Sequence, residues 1–243
     1  KTKVRYGFDK RLRKQLTAYY ASMGVDPAIL TESDKAEFKD VNYLTDLQLT
    51  QLKVRTSAAS IEGYTDGSAC ARMPSLKSCV RSALAPASKD IPAYVHDPSL
   101  SGIGTVRLVR LPAELCQKKC AAWIAVGGPI TRKTADRVRA IVVSLGKLRV
   151  PVFISSSGGG LEDAIALGHL VQAYKLDVGI AGTRLTSVGP DGDVRGTLAE
   201  GTCQNACLLV LAAADMKMAS GDVLLSFRHP ATFVPNDNPG AAV

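Results

Sequence analysis

The sequence has few aromatic residues and no long apolar run. Aromatics make up 5% of the 243 residues, whereas the hydrophobic types together reach 46%. The core must therefore consist of aliphatic and alanine side chains, and the length suffices for one large domain or two modest ones. No run approaches the roughly 20 apolar residues that cross a bilayer. We therefore expect no membrane span.

Positive charge is in excess, but no basic block is present. The formal net charge is +8, and the lysines and arginines are scattered, with only a mild concentration in residues 1–14. Solvated helix faces explain this scatter better than a nucleic-acid footprint, which needs a clustered basic patch. We therefore predict no nucleic-acid partner.

Histidine is rare, and the cysteines lack zinc-site spacing. There are three histidines and six cysteines, and no two cysteines have the CxxC spacing of common zinc sites. We therefore predict no metal site, and no cofactor either. The cysteines fall into local pairs: Cys70 with Cys79, Cys116 with Cys120, and Cys203 with Cys207. This arrangement fits disulfides formed in an oxidising compartment, with buried free thiols as the alternative.

The chain also lacks a signal peptide and an initiator methionine. Its end, Gly240 to Val243, has no pattern that terminates a helix or a strand. The missing methionine and the unpatterned end indicate a piece of a longer protein, so the missing signal peptide says little about location.

Three stretches of different composition are present. Residues 1–57 carry short helical and strand patterns. Residues 58–100 are rich in proline, glycine and small polar residues, and they predict an interdomain linker because so long a loop is uncommon within a compact domain. Residues 101–243 show a regular alternation of apolar runs and helical periodicity.

The alternation in residues 101–243 predicts an α/β fold with a mostly parallel sheet. Strands are predicted near 106–111, 123–126, 150–154, 178–181 and 223–227, and helices over 132–145, 161–175 and 205–214. The continuous apolar run Val150 to Ile154 is typical of a parallel strand that is covered on both faces. Residues 182–202 are predicted to form a polar loop over the surface.

A run of small residues, Ser155 to Gly160, lies between a predicted strand and a predicted helix. Backbone N–H groups at such a turn can cradle a phosphate, but neither GxxxxGK[ST] nor GxGxxG is present. The glycines can instead let a backbone N–H face a developing negative charge, as in an oxyanion hole. A plain strand-to-helix turn is the third interpretation.

Four separated motifs occur in a meaningful order. They are Ser-Ser-Gly-Gly-Gly-Leu at 156–161, Ala166-Leu167-Gly168, Cys-x-x-Ala-Cys at 203–207, and Phe227-Arg228-His229-Pro230. Together they resemble the Clp protease proteolytic subunit/crotonase-like superfamily, and in particular its Clp-protease-like branch of the bacterial periplasm. The resemblance implies ββα repeats around a mostly parallel sheet, a periplasmic or secreted location, and assembly into a homo-oligomer or contact with a tandem copy.

The resemblance also implies a serine-peptidase site with one decisive departure. By position, Gly158 and Ala206 correspond to the family's two oxyanion-hole N–H donors, and His229 corresponds to its general base. The nucleophilic serine is replaced by Asn205, whose amide nitrogen is delocalised into its carbonyl and cannot attack. We therefore expect Asn205 to act as a polar helix cap and no covalent serine hydrolysis through this site.

Residues 12–56 resemble the family segment that follows the histidine, although here they precede the glycine turn. Three hypotheses fit this order: a fragment of a tandem repeat, a circular permutation, or a tail that serves a neighbouring subunit. We favour the tandem fragment, in which residues 1–57 are the tail of one unit and 101–243 the front of the next. By position, the third member of the triad would be Asp40 or, next, Asp34, but in the tandem fragment neither would serve His229.

The sequence thus predicts a catalytically impaired Clp-protease-like domain, a pseudoenzyme that acts as a binding or assembly module for a peptide or protein ligand. One alternative is an active serine peptidase through another copy of the domain. Another is a crotonase-like acyl-group enzyme that uses the oxyanion hole, with Glu162 and Asp163 as nearby carboxylates. A thiol nucleophile, Cys203 or Cys207, is a third, although the resembled branch uses both as framework cysteines.

Overall fold

The computed structural model describes residues 10–35, 41–56, 105–115, 121–188, 194–219 and 224–228. Its helices are α1 (Lys10–Ser22), α2 (Ile29–Asp34), α3 (Asp46–Gln51), α4 (Arg132–Leu145), α5 (Leu161–Ala173) and α6 (Cys207–Ala212). Its strands are β1 (Val41–Tyr43), β2 (Thr105–Arg110), β3 (Ala122–Gly127), β4 (Val152–Ser155), β5 (Val178–Ile180), β6 (Gly182–Val188), β7 (Val194–Ala199), β8 (Thr202–Gln204), β9 (Lys217–Met218) and β10 (Leu224–Arg228). The predicted linker, residues 58–100, lies outside the described residues.

Seven strands form one sheet in the order β6-β7-β2-β3-β4-β5-β9. The pairs β2–β7, β3–β4, β4–β5 and β5–β9 are parallel, whereas β2–β3 and β6–β7 are antiparallel. The prediction of an α/β fold with a mostly parallel sheet is therefore confirmed. In β4, Val152, Phe153 and Ile154 are at most 1% exposed, as expected for a parallel strand that is covered on both faces.

The two faces of this sheet belong to separate apolar clusters. Ile124 and Ile154 face the main core, which includes apolar residues of α4, α5 and α6. Their sequence neighbours Trp123 and Phe153 face the other cluster, because successive side chains of a strand point to opposite faces. There the two rings pack edge to face with centroids 6.3 Å apart, and the Trp123 indole N–H donates to Thr183 Oγ1 at 3.0 Å.

Helix α4 has the predicted bounds because its signals are local. Thr131 is its N-cap, and the Thr131 N–H donates to Thr134 Oγ1 at 3.0 Å, so one of the free donors at the start of the helix is satisfied. At the other end, Gly146 has a φ of +60° and terminates the helix. Val138 and Ile141 are 0% exposed and lie on the apolar face that the periodicity predicts.

The prediction of a polar loop over residues 182–202 is wrong. This region forms the antiparallel pair β6–β7 and then β8. Because β6 is an edge strand whose residues 184–188 are exposed, it has no apolar alternation to signal a strand, and backbone hydrogen bonds hold it in place. Gly196 permits close pairing, since a Cβ atom there would lie 2.8 Å from Arg184 O.

A small second sheet, in the order β1-β10-β8, stands beside the end of β4. Strand β10 is parallel to β8, with Ser226 opposite Gln204, and β1 is antiparallel to β10. A parallel bridge between Ser156 and Cys203 links β8 to the chain that leaves β4. The carboxyl ends of β4, β8 and β10 therefore lie at the same edge.

The N-terminal segment packs onto the same core as the rest of the described chain. Its strand β1 extends the small sheet, and the buried Tyr19 of α1 donates its hydroxyl to Leu209 O at 2.8 Å. Further along, Thr56 N–H donates to Lys217 O at 3.2 Å, on the outer side of β9. The described part of the N-terminal segment thus contacts both sheets of this chain. The tandem fragment, the circular permutation and the tail for a neighbouring subunit stay predictions.

Candidate functional site

The glycine turn lies against the predicted nucleophile position. Gly158 is buried, and a Cβ atom built on it would lie 3.6 Å from Asn205 Cβ and 3.9 Å from Ala206 N. Its φ of +114° is also one that glycine adopts readily and other residues do not. The fold therefore brings Gly158 next to Asn205 and Ala206, which lie far from it in the sequence. The predicted base His229 directly follows β10 in the sequence but lies outside the described residues.

Asn205 has an unusual backbone conformation for its place in the fold. In the described part of the chain, the non-glycine residues with positive φ are Lys53, Lys175 and Asn205, at 57°, 50° and 49°. The two lysines directly follow helix C-caps, where a left-handed residue commonly ends a helix. Asn205 instead connects a strand to the start of a helix. The nucleophilic serine of many hydrolases occupies a strained strand-to-helix turn of this kind.

The expectation that Asn205 caps a helix is wrong. Helix α6 begins at Cys207, its N-cap is Ala206, and no side chain provides a capping hydrogen bond. Asn205 is held through its backbone: its N–H donates to Ser226 O at 3.1 Å, and its carbonyl accepts from Leu208 N–H at 3.0 Å. The helix begins later than predicted because the left-handed turn at Asn205 displaces its start, and it ends at Ala212 rather than Ala214.

A disulfide between Cys203 and Cys207 closes a short ring around Asn205. The two Cα atoms are 5.3 Å apart, and both cysteines are 0% exposed. The predicted pairing is confirmed for these two residues, whereas the other four cysteines lie outside the described residues. Because a thiolate is the nucleophilic form of cysteine, the bonded sulfurs cannot serve as the nucleophile in this state.

The backbone N–H groups at this turn differ in what they bind. Gly158 N–H donates to Ser156 Oγ at 3.1 Å, and the same hydroxyl donates to Gly158 O at 2.9 Å. Neither Ala206 N–H nor Gly159 N–H has an acceptor among the described residues. Gly159 forms a parallel bridge with Ile130 through the groups of its neighbours, so its own N–H points away from Ile130. The described residues therefore do not engage the N–H groups of Ala206 and Gly159, and sequence reasoning did not single out Gly159 as a donor.

The start of α5 is unsuited to a phosphate. Its first turn carries Glu162 and Asp163, and a Cβ atom on Gly160 would lie 2.5 Å from Asp163 Oδ2. The Asp163 carboxylate therefore lies over the turn. Acidic side chains complement the positive end of the helix dipole, and they repel a second anion. The phosphate-cradle interpretation of the glycine turn is therefore disfavoured.

Ser226 is a residue that sequence reasoning did not single out. It is 0% exposed, and its Oγ has no hydrogen-bond partner among the described residues, which is uncommon for a buried hydroxyl. Register places it between Tyr43 of β1 and Gln204 of β8, so these three side chains lie on one face of the small sheet. In the sequence, Ser226 stands out only as a single serine within an otherwise apolar run.

Asp34 and Lys217 are charged residues whose contacts lie away from this turn. The candidate third acid Asp34 forms an ion pair with Arg13 at 2.7 Å on the surface, and Asp40 lies outside the described residues. Lys217 is 5% exposed. Desolvation by burial lowers its pKa, against an opposing influence of Asp215. Lys217 lies opposite Val178, at the start of β5, so it is at the other edge of the sheet from Gly158.

Within the described ranges, none of the helices combines the length and apolar character that a bilayer crossing requires. Comparisons of the chain with models of protein families, with curated proteins and with solved structures found no match.

Proposed function

We propose that this chain is a catalytically impaired Clp-protease-like domain that binds polypeptide segments without cleaving them. The observation that carries the proposal is Asn205, which sits on a left-handed strand-to-helix turn in contact with Gly158. This is the backbone setting of a hydrolase nucleophile, but the side chain is an amide that cannot attack a carbonyl carbon. The setting therefore supports binding rather than covalent catalysis.

The open N–H groups support a polypeptide carbonyl as the group that is bound. In an active hydrolase such donors gain most of their effect in the transition state, when the carbonyl oxygen acquires negative charge. Without a nucleophile no such charge develops. The N–H groups of Ala206 and Gly159 then serve as ordinary donors to a neutral carbonyl oxygen.

The position of the turn supports the same conclusion. In open α/β sheets, ligands commonly bind beyond the carboxyl ends of parallel strands, and the turn lies where β4, β8 and β10 end together. The segment that resembles the family's tail pairs with β10 in this same chain. We propose that residues 10–56 complete the Clp-protease-like unit in cis, a packing that a tandem fragment or a circular permutation would both produce.

The disulfide supports a location in an oxidising compartment, the bacterial periplasm or the exterior. Assembly into a homo-oligomer follows from the family resemblance alone. Light scattering coupled to size-exclusion chromatography checks it, and a monomer at micromolar concentration contradicts it.

A fluorophosphonate probe, which labels activated serines, tests the catalytic half of the proposal. We expect no labelling of the wild type and clear labelling of Asn205→Ser, because the exchange restores a hydroxyl on the turn. Asn42→Ser is the matched control, since Asn42 lies on β1 and donates its side-chain amide to Glu32 O. Labelling of the wild type refutes the impaired state, and an unlabelled, folded Asn205→Ser refutes the Clp-protease-like site.

A further inference from the structure

The buried hydroxyl of Ser226 contributes nothing to the fold that the described residues reveal. The residue is 0% exposed, and Oγ lacks a partner among the described residues. The backbone of Ser226 is fully used, because its carbonyl accepts from Asn205 N–H at 3.1 Å and the strand pairs on both sides. An alanine would fit the same strand without burying an unsatisfied polar group, which costs stability. The hydroxyl therefore points to a use outside the fold.

The row of side chains around Ser226 opens towards solvent. Tyr43 on one flank is 50% exposed, and Gln204 on the other flank is half-buried. The opposite face of the small sheet carries Leu225 and Cys203, which belong to the main core. Because Ser226 is 0% exposed, a ligand on this face must displace a covering group to reach Ser226 Oγ, next to the turn at Asn205.

The chemistry of this row matches a polypeptide backbone. A serine hydroxyl and a glutamine amide each donate and accept hydrogen bonds, as a peptide group does with its N–H and C=O. The row of Tyr43, Ser226 and Gln204 carries no charge, so these three side chains provide hydrogen bonds but no ion pair. Tyr43 provides an apolar surface for a ligand side chain, and Leu47, 65% exposed at the start of α3, provides another nearby in the sequence.

We propose that Ser226 is a ligand-binding residue, whose hydroxyl and the Gln204 amide together hydrogen-bond a peptide group of an extended polypeptide. The polypeptide lies on the small sheet beside the turn, with an apolar side chain against Tyr43. This inference rests on the proposed function, since it extends the same binding site from the carbonyl donors on to the neighbouring strand β10.

Fluorescein-labelled casein, an unfolded polypeptide with many extended segments, is the probe for the test. Fluorescence anisotropy measures its Kd with the full chain, and thermal unfolding measures Tm. We expect Ser226→Ala to weaken casein binding by about tenfold, the upper range for one hydrogen bond, while Tm stays unchanged or rises. Gln204→Ala is expected to weaken binding similarly. Ser144→Ala is the matched control, because Ser144 Oγ donates to Ile141 O within α4, and its Kd should not change.

Three results overturn the inference. An unchanged Kd for Ser226→Ala overturns it alone and leaves the proposed polypeptide binding intact. A fall of Tm by several degrees in Ser226→Ala shows that the fold itself uses the hydroxyl, and it also overturns the inference. Absence of casein binding by the wild type removes both the inference and the polypeptide-binding proposal, whereas fluorophosphonate labelling of Asn205→Ser still reports on the Clp-protease-like site.

Discussion

Exchange of Asn205 separates the conformation of the turn from its chemistry. The residue has a φ of 49°, in the left-handed region, which costs a residue with an ordinary Cβ about 1–2 kcal/mol and costs glycine almost nothing. The free-energy penalty is smaller for asparagine than for most residues because its short polar side chain tolerates this region. Asn205→Ala should therefore be less stable than Asn205→Gly by about 1 kcal/mol. Both variants lack the amide group, so their difference isolates the backbone contribution.

Urea unfolding with the disulfide kept oxidised measures this difference. For a chain of this size, 1 kcal/mol corresponds to about 2–4 °C in Tm. Lys175→Gly and Lys175→Ala form the reference pair, because Lys175 has a φ of 50° directly after the C-cap of α5. We expect the same order there, with glycine the more stable. Asn205→Ser should lose stability like Asn205→Ala while it gains reactivity towards the fluorophosphonate probe.

Two outcomes would refute the reasoning. The first is that the glycine and alanine variants of Asn205 unfold at the same urea concentration while those of Lys175 differ. The left-handed conformation at Asn205 would then make no measurable contribution to stability. If Asn205→Gly is the less stable of the two, flexibility in the unfolded chain outweighs the strain that glycine relieves. The first outcome would remove the evidence for strain at Asn205, and the second would show that strain does not set the stability of the two variants.

The other predictions concern Gly159, Tyr19 and Lys217. Gly159→Ala should lose about 3 kcal/mol or more, or fail to fold, because its Cβ would lie 2.6 Å from Ile130 N at a φ of +150°; a urea midpoint within error of the wild type would contradict this. Tyr19→Phe should lose about 1–2 kcal/mol, because Leu209 O loses the buried donor that holds α1 in place, and an unchanged Tm would show that this contact is dispensable. Burial lowers the pKa of Lys217 from its usual 10.5. Between the lowered pKa and 10.5, the unfolded chain binds a proton more readily than the folded chain, so the stability of the wild type rises with pH in this window. Lys217→Met removes the titrating group together with the hydrogen bond from Lys217 Nζ to Ala214 O at 3.1 Å, so the stability of the wild type relative to this variant should rise as the pH approaches 10.5; a difference that does not change with pH would show that Lys217 does not titrate in this window.

Elements with local signals were predictable from the sequence. Helix α4 has its predicted bounds, Arg132–Leu145, since its cap, its apolar spacing and its terminal glycine are all read within the helix. The covered strand β4 was visible as an uninterrupted apolar run. Residues 182–202 gave no such signal, because an edge strand gains its stability from backbone pairing rather than from burial of alternate side chains.

The residues of the candidate site were predictable from the sequence, but their hydrogen bonds and backbone conformations were not. Sequence resemblance singled out Gly158, Asn205 and Ala206 together, and the fold brings them into contact. It did not reveal that Gly158 N–H is engaged by Ser156 Oγ, nor that Ala206 rather than Asn205 is the cap of α6. Such details depend on backbone dihedral angles and on hydrogen bonds between strands that are distant in the chain.

The amino-acid sequence by itself determined the α/β class, the apolar strands and the absence of a nucleophilic side chain at position 205. These are properties of composition, periodicity and the chemistry of one residue. Only the tertiary structure decided that position 205 lies on a left-handed turn against the glycine turn, and that Ser226 is buried without a partner. The physical reason is register: β10 pairs with β8, and a bridge joins β8 to the chain that leaves β4, so these contacts between distant segments set which backbone groups and side chains meet.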